Sequence, residues 1–124
     1  MGKKILVVDD EDNIRLLYQE ELEEEGYQIS TAATAEEALE IIPAFQPDLV
    51  IMDIKMPGMS GVEALIKIKE QNRELPVILC SAYGEYKQDF STWASDAYVV
   101  KSANLGELKE HIKHLLTGLP REKS

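Results

Sequence analysis

The chain has 124 residues and a formal net charge of −10, from 23 Asp and Glu against 13 Lys and Arg. This length predicts one domain that buries a hydrophobic core without disulfides or a structural metal. So acidic a chain repels nucleic acid and anionic membranes, and we find no basic stripe that would offset the repulsion. We therefore expect no nucleic acid and no membrane among its partners.

The apolar runs and the cysteine content exclude two further classes. No apolar run approaches the roughly 18 residues of a membrane span, and acids interrupt the amino-terminal run too early for a secretory signal. The single cysteine, Cys80, lies in the apolar run "PVILCS" and cannot form an internal disulfide. We therefore expect a cytoplasmic protein.

The first strand is predicted at residues 3–9, and its apolar run "ILVV" leads directly into the acids of "DDED". A helix is predicted from about residue 12 to 25, and Gly26 ends it because glycine readily takes the left-handed conformation that closes helices. One face of this helix is apolar and carries Ile14, Leu17, Tyr18 and Leu22. Leu16 points the other way and is a candidate contact for a protein partner.

The second strand is predicted at residues 27–32, and the next helix opens with a capping box formed by Thr34 and Glu37. The apolar face of this helix carries Ala38, Leu39 and Ile42. Pro43 has no backbone N–H, so we expect it to kink or end the helix near Ile42.

The rest of the chain continues the alternation of strand and helix. The remaining strands are predicted at residues 47–54, 76–82 and 96–101. The remaining helices are predicted after Gly61, within residues 84–94, and from Asn104 to about residue 117. The pattern within 84–94 shows little periodicity, and residues 118–124 read as a short polar tail.

The composition of the strands predicts their order in the sheet. Strands one, three and four are nearly all apolar, as strands covered on both faces must be, whereas strands two and five include polar residues. Two and five are therefore edges, and right-handed crossovers then favour the order 2-1-3-4-5. This is the order of the flavodoxin-like fold, a doubly wound five-stranded parallel α/β sheet, here with five helices. Ligands of such sheets bind beyond the carboxyl ends of the strands, where the winding reverses between strands one and three.

Polar and charged residues end the predicted strands at this edge. They are Asp9 and Asp10 after strand one, Asp53 after strand three, Ser81 after strand four and Lys101 after strand five. Two carboxylates about 4 Å apart repel each other by roughly 4 kcal/mol at an effective dielectric constant near 20, so the acids require positive charge. Lys101 supplies one unit, and a bound divalent cation with a preference for oxygen ligands supplies two more. The cluster therefore predicts a Mg²⁺ site.

The same residues suit phosphoryl transfer. This reaction requires a positioned nucleophile and positive charge on the phosphoryl oxygens. Asp53 is the candidate nucleophile, with Mg²⁺, Lys101 and the Ser81 hydroxyl as contacts for the oxygens. The product would be an aspartyl phosphate.

At these residues the chain resembles the receiver domains of bacterial two-component response regulators. The segments that carry the resemblance are "VVDDED", "LVIMDIKMPGMSG", "LCSAYG" and "AYVVKS". The resemblance implies that Asp53 is the phosphoacceptor. It also implies that Asp10, Asp53 and the backbone carbonyl of Lys55 bind Mg²⁺, with Asp9 acting mainly through a bound water. The protein would then be no enzyme but a phosphoacceptor domain that promotes its own phosphorylation and dephosphorylation.

The resemblance further implies a phosphohistidine donor, carried by a sensor histidine kinase or a histidine phosphotransfer protein. It implies a switch in which Ser81 turns toward the phosphoryl group and Tyr98 moves inward. One position departs from the family, because Ser102 follows Lys101 where a proline is usual.

The resemblance covers about residues 4 to 117, and we assign the receiver domain to residues 1–117 with no output domain after it. Output is therefore expected through contact with other proteins, as a phosphorelay intermediate or as a freestanding regulator. A weaker resemblance to single-domain sporulation phosphorelay regulators, in "SAYGE" and in Lys55 after "MDI", favours the relay. We expect a monomer or a weak dimer.

Two other functions stay open on the sequence. The same kind of sheet holds flavin or a nucleotide in other proteins, but such a site favours a Gly, Ser or Thr rich loop after strand one, and "DDED" repels phosphate. A phosphohydrolase of the haloacid dehalogenase type also uses an aspartate nucleophile. Its second aspartate, two residues further on, is replaced here by Lys55.

Overall fold

A computed structural model describes residues 2–82, 96–101 and 105–117. The strands are β1 Lys4–Val8, β2 Gln28–Ala32, β3 Leu49–Asp53, β4 Val77–Ser81 and β5 Ala97–Val100. The helices within the described residues are α1 Asp12–Glu24, α2 Ala35–Phe45, α3 Gly61–Gln71 and α4 Gly106–Thr117. The helix predicted within 84–94 lies outside the described residues, as do Asn104 and Ser102.

The strands form one parallel sheet in the order β2-β1-β3-β4-β5, which confirms the predicted flavodoxin-like topology. The central strands β3 and β4 are buried along their whole length, whereas β2 at one edge is partly exposed. The burial thus follows the rule that strands covered on both faces are apolar throughout.

Alternating strand residues divide the core between the two faces of the sheet. One face packs under α2 and α3 and includes Leu6, Val50, Met52, Leu79, Ala38 and Leu65. The other packs under α1 and α4 and includes Ile5, Ile51, Ile78, Leu22, Leu108 and Ile112. Both layers hold the sheet rigid, so the carboxyl ends of its strands form a fixed edge.

Helix α1 ends where the sequence predicts, and Gly26 has φ +101°. The predicted end of α2 near Ile42 is wrong, because the helix continues to Phe45. Pro43 lies in the last turn, where its missing N–H removes one hydrogen bond and little of the helix remains to be disrupted. The helix closes at Gln46, which has φ 52° and donates its N–H to the Ile42 carbonyl at 2.8 Å.

Helix α3 begins close to the end of β3. Ser60 caps it through a reciprocal pair of hydrogen bonds with Glu63, each 3.2 Å long. The next residue, Gly61, packs against the backbone of Asp53, where a Cβ atom would lie 2.1 Å from the carbonyl oxygen. The absence of a side chain at Gly61 therefore lets the helix start directly beside the end of β3.

None of the helices in the described ranges is long and apolar enough to cross a bilayer. This finding agrees with the absence of a long apolar run in the sequence.

Gly61→Ala is expected to lower the free energy of unfolding by about 1–3 kcal/mol, because the added methyl overlaps the Asp53 carbonyl. Urea unfolding measures the loss, and backbone NMR shifts of Asp53 and Ile54 should change with it. Gly26→Ala is the matched control, since a Cβ there meets nothing within 4 Å and the cost comes from the positive φ alone. A variant at Gly61 with the stability and shifts of the parent would contradict the close approach.

Candidate functional site

Three carboxylates meet at the carboxyl edge of the sheet. Oxygen atoms of Asp9, Asp10 and Asp53 all lie within 4.8 Å of one another. Asp9 and Asp53 are buried, with 3% and 4% of their surface exposed, whereas Asp10 is exposed. The parallel topology explains the meeting, because β1 and β3 are neighbours and end at the same level. The structure thus brings together the three acids that the sequence predicts as a cluster.

Lys101 provides the positive charge among them. Its Nζ lies 2.7 Å from Oδ2 of Asp9 and 3.2 Å from Oδ1 of Asp53. Burial alone would lower the pKa of Lys101, but the hydrogen bond to Asp9 and the charges of Asp53 and Asp9 outweigh it and raise the pKa. The ammonium therefore remains protonated at neutral pH, and the predicted ion pairing of Lys101 with the aspartates is observed.

The balance of charge nevertheless disfavours the ionised form of Asp53. Burial raises the pKa of this carboxyl most, and the charges of Asp9 and Asp10 raise it further, whereas Lys101 lowers it. Together these effects raise the pKa of Asp53 to about 6. One ammonium thus neutralises the three carboxylates incompletely. A site with this residual charge attracts a cation.

Hydrogen bonds from within the loop, to β2 and from α1 hold the backbone of the β1–α1 loop at Asp9. Asp9 receives the N–H of Glu11 on its Oδ1 at 2.9 Å and donates its own N–H to the Ala32 carbonyl at 3.1 Å. Arg15, in the first turn of α1, donates from its guanidinium to the Asp9 carbonyl at 2.6 Å and also pairs with Asp12. These contacts fix the direction in which the Asp9 and Asp10 side chains leave the strand.

A cleft of about 200 Å³ opens above the acids. Its walls are formed by Asp10, Glu11, Asp53, Lys55, Ser81, Ala82 and Lys101. Ser81 is buried, and its carbonyl receives the backbone N–H of Lys101 at 2.7 Å, which joins the ends of β4 and β5. The cleft is large enough for a phosphoryl group together with a hydrated cation.

The remaining predicted site residue, Tyr98, lies on β5 away from the walls of the cleft. It is partly buried and packs against the core under α2 and α3. Sequence reasoning gave no role to Glu11 or Arg15. Glu11 is visible as part of "DDED", but no sequence pattern indicates that the Arg15 guanidinium contacts the Asp9 carbonyl, six residues earlier in the chain.

The chain is similar to known proteins in both sequence and fold. A family model described as the response regulator receiver domain matches residues 5–113. Sporulation initiation phosphotransferase F of Bacillus subtilis is 37% identical over 118 residues, which cover 94% of this chain and 95% of that protein. The chain belongs to the family of response regulator receiver domains.

Two solved structures extend the comparison. Response regulator protein TrrA of Thermotoga maritima, in complex with Mg²⁺ and BeF, is 54% identical, with a TM-score of 0.89 over 92% of this chain and 99% of that one. TrrA in complex with the histidine kinase ThkA is matched at a TM-score of 0.87 and 54% identity, over 93% and 99% of the two chains. The likeness favours two-component signalling over the flavin-binding and phosphohydrolase alternatives.

Asp53→Asn is expected to stabilise the protein when no divalent cation is present. The pKa of Asp53 in the folded protein is about 6, above the value of about 3.9 for an aspartate in an unfolded chain. The folded state therefore loses stability as pH rises through this interval, and the loss is complete at pH 7. Removing the charge should raise the free energy of unfolding at pH 7 by about 1–3 kcal/mol.

Urea unfolding in the presence of a chelator measures this change, and the variant should also lose most of the pH dependence between the two pKa values. Glu70→Gln, which removes an exposed charge on α3, is the matched control and should leave the stability almost unchanged. An Asp53→Asn protein less stable than its parent at pH 7 would contradict the electrostatic account.

Proposed function

We propose that this receiver domain takes a phosphoryl group from a phosphohistidine of a partner protein onto Asp53, with Mg²⁺ as the cofactor. The observation that carries the proposal is the geometry of Asp53 itself. Its carboxylate lies between two further acids and the Lys101 ammonium, beneath an open cleft. Such a carboxylate is positioned as a nucleophile, and positive charge adjoins it.

The residues present fit a magnesium ion. The donors are all oxygens, the three carboxylates carry more negative charge than Lys101 neutralises, and the cleft is open to water. We assign Asp10, Asp53 and the backbone carbonyl of Lys55 as direct ligands, with Asp9 acting mainly through a bound water. When bound, the cation supplies positive charge that offsets the repulsion between the carboxylates and the phosphoryl oxygens.

The transfer step is a displacement at phosphorus. An oxygen of Asp53 forms a bond to the phosphorus, and the bond from phosphorus to the donor's imidazole nitrogen breaks, with its electron pair passing to that nitrogen. The Lys101 ammonium and the Ser81 hydroxyl lie in the cleft walls, where each can donate a hydrogen bond to a phosphoryl oxygen. Hydrolysis of the product by water in the same site would return the carboxylate, so the domain promotes both gain and loss of its own phosphate.

A histidine kinase or a histidine phosphotransfer protein is the proposed donor. The structural relative TrrA is found in complex with the histidine kinase ThkA, and a curated relative is named a sporulation initiation phosphotransferase. Leu16 is 58% exposed on α1, next to the loop that carries Asp9 and Asp10, and is a candidate contact for this partner. We further propose that phosphorylation turns Ser81 toward the phosphoryl group and moves Tyr98 inward, which alters the surface offered to a target or a second relay protein.

Incubation with Mg²⁺ and acetyl phosphate tests the proposed chemistry. The wild type is expected to gain one phosphoryl group, detected by intact mass, that hydroxylamine removes because acyl phosphates react with this nucleophile. Asp53→Asn should gain none, and a chelator should abolish the gain in the wild type. A phosphate that survives hydroxylamine, or one that Asp53→Asn still accepts, would rule out Asp53 as the acceptor.

Lys101→Met is expected to separate transfer from cation binding. Loss of a positioned donor to the phosphoryl oxygens should slow labelling by about 10²-fold or more. Affinity for Mg²⁺ should not fall, because the change removes a like charge from the neighbourhood of the cation. Lys67→Met, at an exposed position of α3, is the matched control. Equal losses of labelling and of Mg²⁺ affinity would show that Lys101 merely maintains the site.

A further inference from the structure

Glu11 is a third acid that faces Lys101. Its Oε1 lies 3.8 Å from Nζ, on the outer side of the ammonium, whereas Asp9 and Asp53 approach at 2.7 Å and 3.2 Å. The Glu11 side chain is 64% exposed and that of Lys101 12%. Glu11 therefore lies between solvent and the positive charge that a phosphoryl group entering the cleft would contact.

The backbone of Glu11 is fixed while its side chain is not used to cap the helix. Glu11 is the N-cap residue of α1, and among the described residues its side chain accepts no capping hydrogen bond. Its N–H donates to Asp9 and its carbonyl receives the Arg15 N–H at 3.1 Å. Glutamate is a poor choice for this position if capping is the requirement, since shorter side chains reach the first-turn N–H groups. Glu11 instead forms part of the cleft wall, together with Lys55 and Ser81.

We propose that Glu11 is a specificity-determining residue that discriminates among phosphodonors by their negative charge. This inference rests on the proposed function of Asp53. A phosphoryl group reaches Lys101 only by lying beside the Glu11 carboxylate or by displacing it from the ammonium. Either route costs more for a donor with more negative charge, because the repulsion grows with the product of the two charges.

The size of the effect follows from exposure. Two unit charges about 4 Å apart repel each other strongly in a buried site and weakly in water. Because the Glu11 side chain is largely solvated, its repulsion of a donor should be closer to the weak value found in water. Removing its charge should therefore speed labelling by a dianionic donor roughly three- to tenfold. A monoanionic donor should gain less, by roughly the square root of that factor.

The test compares initial rates of Asp53 labelling in Glu11→Gln and wild type, with saturating Mg²⁺ and low salt. Acetyl phosphate serves as the dianionic donor and phosphoramidate as the monoanionic one. Glu70→Gln removes the same charge from the last turns of α3, far from the carboxyl edge of the sheet, and is the matched control. We expect Glu11→Gln to be labelled faster than the wild type with both donors, and the gain to be larger with acetyl phosphate. The gain should shrink at high salt, because salt already screens the repulsion between Glu11 and the donor in the wild type.

Three results would overturn the inference. They are a Glu11→Gln rate no higher than that of Glu70→Gln, an equal gain with both donors, and a gain that does not shrink at high salt. The proposed function is tested separately in the same experiment, by whether the wild type is labelled at all. A labelled wild type with an unresponsive Glu11→Gln variant refutes the role of Glu11 and leaves that of Asp53 intact.

Discussion

The Lys101 ammonium holds two buried carboxylates together at the carboxyl edge of the sheet, 2.7 Å from Asp9 and 3.2 Å from Asp53. Burying either carboxylate without a partner would be costly, because an unpaired charge in the low-dielectric interior loses solvation free energy that nothing there offsets. One cation among three acids leaves residual negative charge, which appears in the raised pKa of Asp53. The protein side chains by themselves therefore form an incomplete ion cluster, and we expect both the affinity for a divalent cation and the access of a phosphoryl group to depend on the remaining negative charge.

The parallel sheet is what makes this arrangement reachable from residues so far apart in the chain. The three acids and the lysine lie at the carboxyl ends of three different strands, β1, β3 and β5. The register aligns Val8 with Met52, Asp53 with Cys80, and Ser81 with Val100. Two apolar layers clamp the strands, so the ends cannot drift apart to relieve the repulsion. The two apolar layers around the sheet thus stabilise the domain. They hold the three acids close together, although repulsion between the carboxylates would otherwise separate them.

The sheet, its order and the acid cluster could be predicted because each depends on patterns that the chain itself displays. Apolar runs alternate with helical periods, edge strands carry polar residues, and parallel strands bring their carboxyl ends together. The contacts that set the details could not be predicted in this way. The approach of Gly61 to the Asp53 carbonyl and the bond from Arg15 to the Asp9 carbonyl depend on where two backbones pass each other. The predicted end of α2 near Ile42 is wrong because Pro43 lies in the last turn, where a proline disrupts a helix far less than in its interior.

The site combines a rigid floor with an exposed rim, and the two parts have different physical origins. In the floor, Asp9 and Asp53 are buried. The Asp9 carbonyl accepts a hydrogen bond from Arg15, and the Asp53 backbone packs closely against Gly61, so both carboxylates keep one geometry. In the rim, Glu11 has a tethered backbone but a solvated side chain with three rotatable bonds. A rigid floor fixes the reacting atom, which transfer requires, whereas a movable charge at the rim changes the barrier to entry without altering that atom's position. Chemistry and donor selectivity can therefore vary independently in this fold, since substitutions at the rim need not disturb the ion cluster beneath it.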